Sequence, residues 1–303
     1  MEKIINNPSN YQEQYIENLN KCFNGWGGVK EYNWGLNRKI GQHETDIMLI
    51  ENDEDGVIAG SAVSYRTLAG NNQTIEIGIM TGSWTLPAAR RKGCFSKMIE
   101  NSNQLCKEKN VPFLTAFVTE ENASRRRLES AGSYMFPTFH LFSPEEPYNI
   151  DENNIESLEN NENVRKQIYE RTIKTQKNFL SFSYTLEEFS SQYINRIKET
   201  ILLKIGDDFA IVEGGVNEMK ILLLTSKDPS AFNINIQAIT NWCLREKGKK
   251  SFFFTTRKEL ADICLEKGFN CGPGFFTILK NSDESIDYKV LFNSLDINMA
   301  DKM

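Results

Sequence analysis

The sequence predicts an α/β chain with two units in tandem, each a mixed, mostly antiparallel sheet flanked by helices. Three observations carry that expectation. Short stretches rich in Ile, Val and Thr, joined by turn residues, alternate with amphipathic helical stretches. A strand, Thr74 to Thr85, runs into a basic, glycine-bearing loop and then a helix. The order of elements in the first half of the chain then recurs, altered, in the second, and a length of 303 residues is itself a prior for two domains.

Taken in order, Tyr11, Tyr15, Ile16, Leu19 and Phe23 fall on one face of a helix over residues 9 to 23, capped near Ser9 or Asn10. The loop Asn24-Gly25-Trp26-Gly27-Gly28 follows, with Tyr32 and Trp34 just beyond it. Asp46 to Glu51, Val57 to Tyr65 and Thr74 to Thr85 read as three strands, because Asn52 to Gly56 and Gly70-Asn71-Asn72 have turn chemistry. A helix over 95 to 109, a buried strand over Val111 to Val118, a helix over 122 to 131 and a closing strand over Met135 to Phe142 complete the first unit. Ser143 to Asn163 is polar, acidic and holds two prolines, the mark of a linker. The expected division is therefore residues 1–145, a linker over 146–163, and a second unit over 164–303. In that unit 164 to 197 is helical, interrupted at Ser181 to Tyr184. Strands follow over Ile201 to Ile205, Phe209 to Glu213 and Glu218 to Thr225, then a helix over 231 to 247, a strand over Lys250 to Thr256, a helix over Lys258 to Lys267 and a closing strand over Phe275 to Leu279.

The loop after Thr85 has the chemistry of an anion cradle. Pro87 stops sheet pairing, and from Phe95 the apolar residues Phe95, Met98, Ile99, Leu105 and Cys106 take helical spacing. A helix start leaves N–H groups without partners and carries partial positive charge. Gly93 lets the backbone approach a ligand, and Arg90, Arg91 and Lys92 add fixed charge around it. An ordinary solvated basic turn is the competing reading of the string taken alone.

The string P-x-x-R-x-x-G-x-F-S from Pro87 to Ser96 resembles the acetyl-CoA loop of the GCN5-related N-acetyltransferase (GNAT) superfamily, Q/R-x-x-G-x-G/A between a strand and a long helix. Arg90 and Gly93 match; Phe95 departs from the usual small residue. A second match is Thr119 to Ser124 followed by a helix ending at Ala131-Gly132, where the family has an Asn and a small residue. The resemblance implies a tandem GNAT protein whose second copy is degenerate: it has Thr225-Ser226-Lys227-Asp228-Pro229-Ser230 where the basic loop should be, with Asp228 hostile to phosphate. It also implies acetyl-CoA as co-substrate, an acyltransferase activity and direct transfer to a primary amine of a small-molecule acceptor in a ternary complex.

Residue by residue, the resemblance implies that Arg90, Arg91, Lys92, Gly93, Cys94, Phe95 and Ser96 wrap the pyrophosphate, chiefly through main-chain N–H groups. The amides around Thr85 and Leu86 would meet the developing oxyanion. Asn122, helped by Ser124, would either bond the pantetheine arm or simply cap its helix. Arg125, Arg126 and Arg127 would either reach the adenosine phosphates or form a solvated face. An amine of pKa about 10.4 must lose a proton before it attacks, which calls for a carboxylate or a water chain. Glu76, on the strand leading to the loop, is the expected base. The family's Tyr is absent, its place falling on Leu128 or Glu129, so Tyr134 is the expected acid; His140 is a lesser candidate, more simply a core histidine. The Trp26 to Trp34 segment lies where the family builds part of its acceptor pocket, although plugging the end of the core is the commoner fate of such residues.

Composition bounds the rest. The net charge of −6, with a pI of about 5.3, would repel a nucleic-acid backbone. Six scattered cysteines without a C-x-x-C pair, and two histidines, fit neither a disulfide framework nor a metal site and favour a reducing, cytoplasmic compartment. No run approaches the roughly 18 apolar residues of a membrane span. No metal, nucleic-acid or membrane partner is expected, and oligomeric state has no signature. A non-catalytic acyl-CoA-binding or scaffold protein retaining the fold is the alternative, motivated by Phe95 and the missing Tyr.

Overall fold

The computed structural model describes residues 2–70, 72–150, 155–281, 287 and 292–302. Asn71 of the expected turn and residues 151–154 of the expected linker lie outside them. The first half comprises β1 (Glu2–Asn6), α1 (Gln12–Cys22), α2 (Val29–Tyr32) running into a π-helical turn (Asn33–Asn37), β2 (Asp46–Asn52), β3 (Gly56–Gly70), β4 (Gln73–Thr85), α3 (Cys94–Glu108), β5 (Phe113–Thr119), α4 (Ala123–Ser130) and β6 (Tyr134–Phe142). The second comprises β7 (Ile155–Leu158), α5 (Glu162–Gln176), β8 (Ser181–Phe182), α6 (Leu186–Phe189), β9 (Thr200–Ile205), β10 (Asp208–Gly214), β11 (Glu218–Leu224), α7 (Pro229–Lys247), β12 (Lys250–Thr255), α8 (Lys258–Glu266), β13 (Asn270–Lys280) and a final helical turn, Met299–Asp301.

The strands form one sheet in the order β1-β2-β3-β4-β5-β13-β6-β12-β11-β10-β9-β7, with β8 added beside β3. Within it β4–β5 and β11–β12 pair in parallel. The expected closing strands exist, but each closes the other half's sheet. β13 pairs with β5 from Phe275↔Val118 to Lys280↔Phe113, while β6 pairs with β12 from Phe252↔Phe142 to Thr255↔Phe139. β13 and β6 then pair with each other and join the two halves. Three strands were not expected: β1, which edges the sheet against β2; β7, which lies inside the expected linker and pairs with β9; and β8, where only a helix interruption was expected, which pairs with β3.

Alternation along β5 sends Leu114, Ala116 and Val118 to a core shared with Met98, Ile99, Leu105 and Cys106 of α3. Phe113 goes to the opposite face, into a core with Ile77, Ile79, Phe276 and Phe292. On that second face Tyr15 and Leu19 of α1 and Tyr32 and Leu36 pack against Ile47, Leu49, Ala62 and Trp84. The two halves are also tied at Gly70, where an added Cβ would stand 1.9 Å from the Phe179 carbonyl oxygen.

Candidate active site

The β4–β5 pairing runs through Ile77↔Phe113, Gly78↔Leu114 and Ile79↔Thr115 and stops there. β4 stays paired to β3 as far as Ala59↔Thr85, and β5 to β13 as far as Gly274↔Thr119, so the strands diverge and leave a gap inside the sheet. A bulge helps. Gly60 opposes Trp84 but Ala62 opposes Thr81, so β4 carries an extra residue across Gly82 and Ser83. Gly82 takes φ 55°, and its carbonyl accepts the Tyr15 hydroxyl at 2.9 Å. The cleft that opens here has a volume of about 1550 Å³.

One wall is the N-terminus of α3. Arg91 (φ 67°) and Gly93 (φ 87°) are both left-handed, which turns the chain sharply into the helix. The first intrahelical bond is Lys97 N–H to the Gly93 carbonyl, 3.3 Å, so the N–H groups of Phe95 and Ser96 have no acceptor among the described residues. No side chain caps the helix and no acidic residue lies in its first turn. A Cβ on Gly93 would meet nothing within 4 Å. These are the features an anionic ligand needs: open space, unpaired donors and no carboxylate in the helix's own first turn. The Cys94 thiol is buried at 3.8 Å from the Ala89 carbonyl, its pKa raised by burial, so only its main chain can face a ligand. Phe95 packs against the α3 core while lining the cleft, which accounts for a large residue at that point of the loop.

Thr85, Arg90, Arg91, Gly93, Cys94, Phe95, Ser96, Asn122 and Ser124 all line the cleft; Leu86 and Lys92 do not. The Leu86 N–H is committed to the Ile58 carbonyl at 2.9 Å and is no oxyanion donor. Since donors alternate sides along a paired strand, the neighbouring Thr85 N–H points away from β3, into the gap. Asn122 caps α4: its Oδ1 accepts the Ser124 N–H at 3.0 Å and the Ser124 hydroxyl at 2.7 Å. Arg126 and Arg127 line the cleft, whereas Arg125 turns away to Glu120 (3.1 Å) and the Phe275 ring (4.9 Å).

The two expected proton carriers are not in the cleft. Glu76 sits nine residues before Thr85, roughly 30 Å along the strand, opposite Thr67, where it faces His43 Nε2 at 3.4 Å. Tyr134 pairs with Ile278 and packs into the core around Phe113 and Phe276. His140 accepts from Lys302 Nζ at 3.0 Å and is pushed down to about 4, mainly by burial. Leu128, one of the two positions of the family's Tyr, does line the cleft.

The Trp26 to Trp34 segment, offered by the sequence either as an acceptor wall or as a plug of the core, does reach the cleft, at its other end, and the residue of that segment that sequence reasoning missed is Glu31. Leu19, Phe23, Trp26, Trp34, Leu36 and Phe117 form apolar walls there, with Glu31 among them. Glu31 Oε2 accepts the Gly28 N–H at 2.8 Å, a bond that holds its carboxyl below the usual range. Asn20 clasps Gly27 from both sides, donating to its carbonyl at 2.7 Å and accepting its N–H at 3.2 Å. The glycine-rich loop was the available signal, but a carboxylate three residues past it has no local signature. Trp34 is stacked by Arg38 (4.1 Å) and Arg196 (4.7 Å), and Ile197 reaches the cleft, so the second half builds part of this end.

The matching place in the second half is shut. β11–β12 pairing stops at Ile221↔Phe253, and Met299 and Ala300 pack against Leu222 and Leu223 beyond it. Asp301 is held there by the Tyr193 hydroxyl at 2.6 Å and the Tyr184 hydroxyl at 2.9 Å. Asp228 caps α7, accepting the Ala231 N–H at 2.8 Å, and Pro229 has no N–H to offer.

Residues 4–127 match the family model described as acetyltransferase (GNAT) domain. A search of curated proteins by sequence finds no match. Among solved structures the chain is similar to a tandem GNAT protein from the clavulanic acid biosynthesis pathway, with TM-score 0.63 and 9% identity over 94% of this chain and 100% of that one. It is also similar to GCN5-related N-acetyltransferases from Kribbella flavida (0.66, 8%, covering 92% and 70%) and Anabaena variabilis (0.65, 14%, covering 93% and 73%). The divided parallel pair, the open helix start beside it and the repeat of both in altered form go with these likenesses: residues 4–127 match the GNAT acetyltransferase domain, and the chain as a whole has the tandem GNAT fold.

Proposed function

We propose that the protein is an acetyl-CoA-dependent N-acetyltransferase that acylates the primary amine of a small-molecule acceptor by direct transfer. The observation that carries this reading is the opening of β4 from β5 directly beside the uncapped start of α3. In this reading residues 1–145, with β13 completing their sheet, form the working unit, 146–163 the connection, and 164–303 a degenerate copy that holds no cofactor.

Acetyl-CoA supplies an activated thioester carbonyl. The main-chain N–H groups of Gly93, Phe95 and Ser96 hold its diphosphate, with Arg90, Arg91, Lys92, Arg126 and Arg127 supplying positive charge around them. Asn122 keeps Nδ2 for the pantetheine arm once its Oδ1 is engaged in the cap. The Thr85 N–H stabilises negative charge on the carbonyl oxygen, and the apolar walls exclude water from the amine. The ammonium loses its proton to a cleft carboxylate, and the departing sulfur takes one from water, since no tyrosine lines the cleft among the described residues. Six free cysteines, four of them buried, suit a reducing cytoplasm.

The test is calorimetry with coenzyme A, followed by thiol release from acetyl-CoA across a panel of amines. One binding site and turnover with at least one amine are expected. Binding without turnover for any amine would instead favour a non-catalytic acyl-CoA-binding protein, and no binding would remove both readings.

A further inference from the structure

Charge is segregated along the cleft. Arg90, Arg91, Arg126 and Arg127 stand at the end formed by the α3 and α4 starts, together with Glu120 and Glu121 of the preceding turn. Glu120 is drawn to Arg125. At the far end the one acidic residue among the described lining residues is Glu31, which lines the cleft together with Trp26 and Trp34. This carboxylate is fixed in place. The Gly28 N–H holds one oxygen, Asn20 anchors Gly27, and the Glu31 stem lies so close to Gly27 that an added Cβ would come within 2.5 Å of it. Trp34 is immobilised by two guanidinium groups, Arg38 and Arg196, the latter neutralised by Glu213 at 2.8 Å. An aromatic slot whose one lining charge is a held carboxylate, the guanidinium groups lying behind its Trp34 wall, recognises a flat apolar body that bears one cation.

We infer that the acceptor is an arylalkylamine-like molecule, its ring between the Trp26, Trp34 and Phe117 walls and its ammonium on Glu31, rather than a polyhydroxylated amine. The inference rests on the acyl-transfer reading of this cleft. Glu31 orients the ammonium, while Trp26 and Trp34 fix the ring. A sugar amine would leave hydroxyls against apolar walls without partners, which is the costlier arrangement.

Two measurements test this separately from acyl transfer itself. Intrinsic tryptophan fluorescence of the protein without acetyl-CoA is titrated with phenethylamine, phenethyl alcohol and glucosamine. Saturable binding of phenethylamine alone is expected, weakened about tenfold or more in Glu31→Gln, which keeps an acceptor for the Gly28 N–H but removes the charge. Trp26→Leu, with an unchanged melting curve, should weaken it similarly. Thiol release should then show phenethylamine at least about tenfold ahead of glucosamine in kcat/KM, with Glu31→Gln raising KM and leaving coenzyme A affinity unchanged. Binding of glucosamine or phenethyl alcohol as tight as that of phenethylamine, or indifference to Glu31→Gln, would overturn the inference even if acetyl-CoA is bound and consumed. Failure to bind coenzyme A would instead strike the acyl-transfer reading, and the fluorescence result would still decide this one.

Discussion

Helices α3 and α7 hold matching places, each following the last of three antiparallel strands, β4 after β2 and β3, and β11 after β9 and β10, yet their first turns differ. α3 begins at a left-handed glycine with no cap and donors facing a cleft. α7 begins at Asp228, whose carboxylate takes a donor, followed by a proline that has none. The gaps beside them differ in the same sense: one is open, and the other is filled by Met299 and Ala300. The comparison teaches that two copies of one fold can differ in whether a helix start is left open, because its donors are available to a ligand only if its own chain leaves them unanswered.

The sharpest way to break the comparison is to give α3 the cap of α7. Gly93→Asp places a carboxylate among the donors, and we expect coenzyme A affinity to fall by about 100-fold or more; calorimetry showing an unchanged affinity would separate the first turn from the ligand. Next, Asp301 sharpens the account of the filled gap. Burial pushes its carboxyl up to about 6 from an ordinary 3.8, so the fold favours its protonated form. Its contribution is therefore present below about pH 4 and lost as pH rises through about 6, on the order of 2 to 3 kcal/mol. Melting curves of wild type and Asp301→Asn across that range should converge at low pH and separate above it. A smaller effect is expected from Arg126→Ala with Arg127→Ala, about tenfold together on coenzyme A affinity and shrinking with added salt, while Arg125→Ala leaves affinity unchanged. Smallest is Asp228→Ala, which should cost about 1 kcal/mol of stability without creating a second coenzyme A site; a stoichiometry of two would show that the cap alone keeps the second half silent.

Much of this was legible from residues close together in the chain. Pro87, Gly93 and the onset of helical spacing at Phe95 define a strand, turn and helix locally, and the structure places them so. Leu86 and Glu76 were not legible as non-participants, because a strand residue's use depends on which neighbour it faces and how far along a thirteen-residue strand it lies. The crossed closing strands were hidden for a related reason. β6 and β13 carry similar alternation, and either satisfies β5 or β12 equally well as a pattern, so partner choice is set by the whole sheet rather than by either segment. Glu31 was missed because its role comes from a loop folding back on Asn20.

That crossing has a consequence for how the chain is made. Ala116 meets Thr277, 161 residues later, and until then the first half lacks the neighbour of its fifth strand. At ordinary synthesis rates of about 5 to 20 residues per second the nascent first half waits on the order of ten to thirty seconds with β5 bare on one side. A chain cut before Asn270 would therefore carry an exposed, sticky strand edge at β5.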